Sequence, residues 1–338
     1  LALAFDFLNG LHDAANSVAT IVSTRVLSPR TAVAWAAFFN FIAFLVFPTN
    51  VAHTIAGDIV DPQLENSLSF FAAALVAACL WNILTWYLGL PTSSSHALIG
   101  GMAGVALAET GSFSSWRPGL GLVVLYLVLA PLIGFVLGTL IATAVAWLFR
   151  RTTPRRVDAI FRRGQFVSAA LLSLGHGGND AQKTMGIIFM LLIGYHAQQQ
   201  GLAAGAHPIS PITHHEITHI PIAVVVASQL AMGLGTMFGG WRIVKTMGQR
   251  IIRLRPVDGF CAELGAALTL AFTIFVKGVP ISTTHTITGS IVGVGSLKRL
   301  SAVRWGVAGR VVWAWVLTIP GAGILAALCW WILQIGQH

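Results

Sequence analysis

Three observations predict an all-α integral membrane protein, duplicated in inverted sense, with broken helices that turn back as re-entrant hairpins. Of its 338 residues, 56% are hydrophobic and only 9% are charged, against roughly 25% charged in a soluble domain. Apolar runs at 119–149, 220–240 and 305–333 reach the ~20 residues that a helix needs to cross a bilayer. Backbone in lipid must satisfy its own hydrogen bonds, which leaves helices or closed barrels; long continuous runs, not ten-residue alternation, decide for helices. The third observation is a polar motif that occurs twice, taken up below.

The elements follow from charge. A net charge of +9 would point to nucleic acid in a soluble chain. Here the cations cluster in short connections, the pattern of cytoplasmic membrane loops, so no nucleic acid is expected. Arg150, Arg151, Arg155, Arg156, Arg162 and Arg163 form one cluster; Arg242, Lys245, Arg250, Arg253 and Arg255 a second; Lys298, Arg299 and Arg304 a third. Asp58, Asp61, Glu65 and Glu109 lie in connections with few cations, Arg117 being the exception. With basic loops inside, residues 1–24 run inward and 31–47 outward to an acidic loop at 48–68. The pieces 69–90 and 92–108 go in and return, and 119–149 cross to the arginine loop. The second half repeats the order in opposite sense: 165–195 outward, 220–240 inward, 258–279 and 281–297 as a pair opening inward, and 305–335 outward. The expected repeats are 1–164 and 165–338. The sequence starts at Leu1 with no basic-then-apolar cleavable leader in view.

The duplication is legible in residues. Gly89-Leu-Pro-Thr-Ser-Ser-Ser-His96 matches Gly278-Val-Pro-Ile-Ser-Thr-Thr-His285, and the match continues through Gly100/Gly289, Gly104/Gly293 and Val105/Val294. Seven of seventeen aligned positions are identical, in a polar pattern that apolar composition would not produce. A weaker pair sets Gly10-Leu-His-Asp-Ala-Ala-Asn16 against Gly177-Gly-Asn-Asp-Ala-Gln-Lys183. The motifs lie 22 residues further apart in the second copy, an excess that a loop at 196–219 can hold. Each half crosses an odd number of times, so the copies are inverted, the architecture of many secondary transporters.

Each Pro-Ser motif interrupts an apolar stretch. Proline followed by hydroxyl residues reads as a break, then the first turn of a new helix. A helix N-terminus offers free N–H groups and the positive dipole end, so two of them, related by symmetry, can grip a tetrahedral oxyanion from opposite sides. The plainer reading is a proline kink whose hydroxyls bond back to carbonyls; the repetition favours binding. Asp13 and Asp180 are carboxylates at membrane depth, where such groups usually face a cavity, an ion path or a partner. Asn16 and Lys183 follow them by three residues, one helical face; an Asp180–Lys183 tie between helices is the structural alternative.

Other polar residues carry weaker signals. Glu263 is either a proton relay or a residue snorkelling to the inner interface near Asp258. Lys277 is either anion-attracting or structural. His207, His214, His215, Glu216 and His219 cluster in the outer loop without a strong zinc spacing, so a solvated loop is expected and no metal site is assigned. Cys79, Cys261 and Cys329 show no ligand spacing and are expected as small core residues. The Gly134/Gly138 and Gly235/Gly239 pairs are expected to be helix-packing motifs.

Together, Phe-Leu-Asn-Gly-Leu-His-Asp-Ala-Ala-Asn-Ser-Val-Ala-Thr near the start, Gly-His-Gly-Gly-Asn-Asp-Ala-Gln-Lys inside, and two Pro-x-Ser-[Ser/Thr]-[Ser/Thr]-His hairpins resemble the inorganic phosphate transporter (PiT) family of membrane symporters, over nearly the whole chain. The resemblance implies phosphate and cation sites at Asp13, Asn16, Asn179, Asp180, Thr92, Ser93, Ser94, Ser282, Thr283 and Thr284. Ser95 and Lys183 join the expected substrate set, Glu263 the coupling-ion set, and His12, His96, Gln182 and His285 support them. Sodium-coupled members tend to carry Asn-Asp-x-Ala-Asn in both copies. Here the first copy opens on His12 and the second ends on Gln182-Lys183, and an ammonium cannot coordinate a cation. The pattern is closer to the bacterial low-affinity, proton-coupled branch.

The expected function is therefore import of inorganic phosphate, free or metal-complexed, by proton-driven symport across the cell membrane. No cofactor and no enzymatic activity are expected, and a homo-oligomer is left open. Sulfate transport on the same fold, or sodium coupling, are the rival readings. Phosphate is favoured over sulfate because a protonated phosphate can donate a hydrogen bond to a carboxylate. An intramembrane metal-dependent enzyme using His12, Asp13, His96 and His285 is disfavoured, since catalysis has no need of two mirrored half-sites. A passive anion channel would show flux without coupling.

Overall fold

The computed structural model describes residues 1–57, 59, 68–201 and 219–335, the side chain of Lys277 aside. Twelve α-helices run through them. The first six are α1 (Ala2–Ser23), α2 (Pro29–Phe41), α3 (Asn50–Gly57), α4 (Leu68–Leu88), α5 (Ser94–Thr110) and α6 (Pro118–Leu148). The other six are α7 (Pro154–Gln199), α8 (Ile222–Phe238), α9 (Trp241–Lys245), α10 (Pro256–Phe272), α11 (Thr283–Lys298) and α12 (Trp305–Ile335). Among these, α4, α6, α12 and α10 with its extension are long and apolar enough to cross a membrane. Two bent pairs raise the number to six: α2–α3 folds through 78° and α8–α9 through 61°. Neither α1 nor α7 is in that group, and both are interrupted by the polar residues that build the site.

Local sequence explains most ends. Ser28 caps α2, accepting from the Thr31 N–H, with Pro29 at the first helical position. Pro256 opens α10, and the Asp258 carboxylate takes the Arg255 N–H at 2.7 Å. At the end of α4 and after the π turn that extends α10, Gly89 (φ +66°) and Gly278 (φ +60°) hold equivalent left-handed positions that a side chain would strain. The cytoplasm-assigned arginine connection is shorter than expected. Its second part, with Arg155, Arg156, Arg162 and Arg163 exposed, forms the opening turns of α7. At ~1.5 Å per residue this 46-residue helix is about 69 Å long, more than twice a ~30 Å hydrocarbon core, so it projects beyond the membrane. The boundary expected between 164 and 165 thus falls inside a continuous helix. The acidic connection at 48–68 likewise holds a helix, α3; Asp58, Asp61 and Glu65 lie outside the described residues.

Packing partners are exchanged between the halves. The first half's re-entrant helix α5 lies on α12, and its counterpart α11 lies on α6. In the same way α4 meets α12 while α10 meets α6, and α1 meets α8 while α7 meets α2. This exchange is what two structurally equivalent halves produce. The repeated glycines serve it: a Cβ on Gly100 would stand 2.6 Å from the Ile319 carbonyl oxygen of α12, and one on Gly289 would run into the Pro131 carbonyl of α6. Lipid offers helices no hydrophobic drive to associate, so such close backbone approach supplies the packing. Gly134, Gly138 and Gly235 also meet neighbouring backbone or side chains closely, as expected of packing motifs, whereas Gly239 caps the end of α8 at positive φ (+67°), and a Cβ there would meet the nearby Trp241 ring. The outer faces of α6 and α12 are mostly exposed apolar surface, as lipid contact requires.

Candidate functional site

Both breaks are shaped as expected, with one correction. Pro91 and Pro280 lie in the extended connections, and the helices begin three residues later, at Ser94 and Thr283. Ser93 and Ser282 are the caps: their Oγ atoms accept the N–H of His96 at 3.3 Å and of His285 at 3.2 Å. These two hydroxyls therefore serve their own helices rather than facing the aspartates. The two breaks meet, with the His96 and His285 rings 4.8 Å apart and His285 stacked on Trp315 at 3.9 Å. Trp315 also donates its indole N–H to the Pro91 carbonyl at 2.9 Å.

The aspartates of α1 and α7 point at this meeting place, buried with all their partners. Ser94 donates to Asp13 Oδ2 at 2.8 Å, and its counterpart Thr283 donates to Asp180 at 3.3 Å. Asn16 donates to Thr284 Oγ1 at 3.0 Å, while its counterpart Lys183 donates to Ser95. Every bond in this set has a twin, and each of the last pair crosses from one half to the other. The Thr284 hydroxyl also lies 3.5 Å from Asp13 Oδ1.

Where the copies differ in sequence, the symmetry breaks. Lys183 pairs with Asp180 and lies 3.4 Å from the Ile281 carbonyl, so the Asp–Lys tie that was the structural alternative exists and also reaches both hairpins. His12 donates from Nδ1 to Asp13 Oδ1 at 2.7 Å, and its Nε2 lies 3.0 Å from Thr85 Oγ1 and 3.4 Å from Thr92 Oγ1. Its counterpart Asn179 donates to Asp180 Oδ1 and to the Ile281 carbonyl, both at 2.8 Å.

His176, which the sequence reading left unassigned, belongs to the centre. Its Nδ1 meets Ser17 Oγ at 3.1 Å, and its Nε2 lies 3.1 Å from Asp180 Oδ2 without the alignment of a hydrogen bond. One ligand atom each of Asp13, His176 and Asp180 lies within 4.8 Å of the others, a spacing that can hold a small cation. The spacing of four residues before Asp180 was the available signal.

Two expected residues lie elsewhere. Gln182 is drawn away from the centre: its Oε1 accepts the N–H groups of Val51 and Ala52 at 3.0 and 3.2 Å, and its Nε2 donates to the Pro48 carbonyl. It caps the start of α3. Glu263 does not snorkel. It is fully buried and accepts from Thr20 at 2.5 Å, from Gln165 at 3.0 Å and from Ser168, two helical turns along α1 from Asp13. Asp258 is tied instead to Lys298. His219 is exposed, and His207, His214, His215 and Glu216 lie outside the described residues. Cys79 and Cys261 are buried and Cys329 half-buried, all free thiols.

A duplicated helical membrane fold, whose two broken helices meet two intramembrane aspartates in one buried centre, defines a multi-pass membrane transporter and not an enzyme. Residues 9–326 match the Phosphate transporter family, and the chain belongs to it. It is 55% identical over 335 residues to a probable low-affinity inorganic phosphate transporter of Rhizobium meliloti, covering 99% of this chain and 95% of that one. A protein of the same description from Bacillus subtilis is 44% identical, with the same coverage. The solved structure of a sodium-dependent phosphate transporter superposes with a TM-score of 0.85 at 23% identity, covering 99% of this chain and 97% of that one, which establishes the shared fold.

Proposed function

We propose that this protein imports inorganic phosphate across the cell membrane as a proton-coupled symporter. The observation that carries the reading is the twinned set of hydroxyl–carboxylate bonds, with a lysine on one side only. Two first-turn helix N-termini and the hydroxyls of Ser94, Ser95, Thr283 and Thr284 form a donor-rich cradle for a tetrahedral anion. Asp13 and Asp180 accept hydrogen bonds from the Ser94 and Thr283 hydroxyls here; an arriving phosphate takes over those donors and donates a hydrogen bond from its own P–OH to a carboxylate. Sulfate at neutral pH has no proton to donate, which favours phosphate, and the relatives' descriptions agree. Lys183 stands where the other copy has Asn16 and supplies a fixed positive charge, which argues for protons over sodium as the coupling ion. Asn16, Asn179 and Glu263 complete the coupling set, and α1–α6 and α7–α12 act as the two repeats, in place of the 1–164 and 165–338 division that would cut α7, with the basic ends cytoplasmic.

The test is uptake of labelled phosphate into proteoliposomes under a proton gradient without sodium, and the reverse, with sulfate and arsenate as competitors. Proton-driven uptake that arsenate blocks and sulfate leaves alone is the expected result. Strict sodium dependence would falsify the coupling assignment.

A further inference from the structure

One face of α1 carries Asp6, Asn9, Asp13, Asn16 and Thr20, which fall within an arc of roughly 80° at 100° per residue. All five are buried, at 3% exposure or less. The stripe holds carboxylates at three levels: Asp6, then Asp13 about 10 Å along the helix, then Glu263 reached through Thr20 about 10 Å further. The middle and last are surrounded by donors. Asp6 is not: it is fully buried, and neither carboxylate oxygen has a hydrogen-bond partner among the described residues. The Thr184 hydroxyl of α7, equally buried and unpartnered, lies beside it, as does Asn9. The charged groups acting on it are Asp180 and Lys183, both on α7; the other helices that meet α1 carry the buried ionisable groups Asp258 and Glu263 on α10, His96 on α5 and His285 on α11, besides neutral polar residues such as Asn82 of α4 and Ser228 and Gln229 of α8.

A charged carboxylate whose oxygens make no formed hydrogen bond in a buried membrane site is too costly to persist, so Asp6 must carry a proton or hold a cation. We infer that Asp6 is a second proton-carrying site of the transport cycle, placed on the outer side of the phosphate centre, with Thr184 as its hydrogen-bonding partner in the protonated form. Two features select the proton over a metal cation. A neutral acid needs only one acceptor, which Thr184 Oγ provides, whereas sodium needs a cage of oxygens. The Lys183 ammonium, one residue before Thr184, also repels a second cation. On losing its proton, Asp6 competes with Asp180 for Lys183, so its charge state is felt at the centre. The outer placement follows from the basic loops, because α1 enters from the side opposite Arg25 and Arg30.

This inference rests on the proton-coupled reading above, and the experiment separates the two. The full chain is reconstituted, and proton-gradient-driven phosphate uptake is compared with phosphate exchange at zero gradient. Asp6→Asn, a fixed neutral mimic, is expected to lower driven uptake about tenfold or more while exchange stays within about two-fold. Asp6→Glu is expected to restore driven uptake, and Thr184→Val to move the pH of half-maximal uptake. Asp6→Asn that responds to the gradient as well as wild type overturns the inference alone, as does equal loss of exchange and driven uptake in a variant that melts like wild type. If Asp6→Asn does not fold, an Asp6→Glu pH profile identical to wild type overturns it. A wild type that ignores protons and follows sodium overturns the parent reading as well.

Discussion

Asn16 and Lys183 occupy equivalent positions in the two halves, and each donates to a hairpin hydroxyl belonging to the other: Asn16 to Thr284 and Lys183 to Ser95. One connection is neutral and one is charged, so a centre of two-fold design has one polar side. Lys183 also neutralises Asp180 in a buried setting. Lys183→Ala should lower stability by about 3–5 kcal/mol, because it strands a buried charge. Adding Asp180→Asn should recover most of that loss, as read from melting curves in detergent. A single variant as stable as wild type would show that the pair contributes nothing.

Ser94 and Thr283 are twins, each donating to an aspartate. Ser94→Ala and Thr283→Val should each weaken phosphate binding by about 1.5–3 kcal/mol, roughly ten- to a hundred-fold, as one hydrogen bond to a charged group is lost. Ser93→Ala, which removes a cap, should instead cost about 1 kcal/mol of stability and leave affinity alone. Titration calorimetry alongside melting separates the two, and equal affinity losses in all three would move the anion elsewhere.

Gly100 and Gly289 sit where helices cross at backbone distance. Alanine at either should destabilise by about 1–3 kcal/mol through overpacking. Gly306→Ala and Gly309→Ala, where an added Cβ meets nothing within 4 Å, should melt with wild type. The four melting temperatures check the pattern, and a silent Gly289→Ala would contradict it.

Gln182 caps α3 through two backbone N–H groups. Gln182→Ala should cost about 1–2 kcal/mol of stability, as lost caps do, with phosphate affinity unchanged. A marked affinity loss at normal stability would return Gln182 to the binding centre.

Much of this was legible in the sequence because polar residues in apolar runs are expensive and therefore informative. The breaks at Pro91 and Pro280, the twin aspartates and the ends of α6 and α12 were readable within a few residues. What escaped had a physical reason. Ser93 and Ser282 look identical to their neighbours in composition, and only the backbone decides which hydroxyl turns to cap. Gln182 follows Asp180 by two residues, which on a helix sends it to another face. Asp6 and His176 were hidden because the reading followed the repeated motif, while both lie outside its matched positions; the helical spacing back from Asp13 and Asp180 would have found them. The extension of α7 through the arginines reflects strong helix formers in water, where hydropathy is silent.

The exchanged packing of α5 on α12 and of α11 on α6 bears on how the centre can open. Two of the seams between the halves of the chain, α5 on α12 and α11 on α6, are closed by backbone-to-backbone contact at glycine. A swing of the N-terminal half as one block against the C-terminal half would tear both seams at once. The blocks that can move intact are interleaved, α4–α5–α12 and α10–α11–α6, each drawn from both ends of the chain. Any cut of the polypeptide between the repeats therefore divides both moving parts, so the two fragments must be made together to rebuild either one.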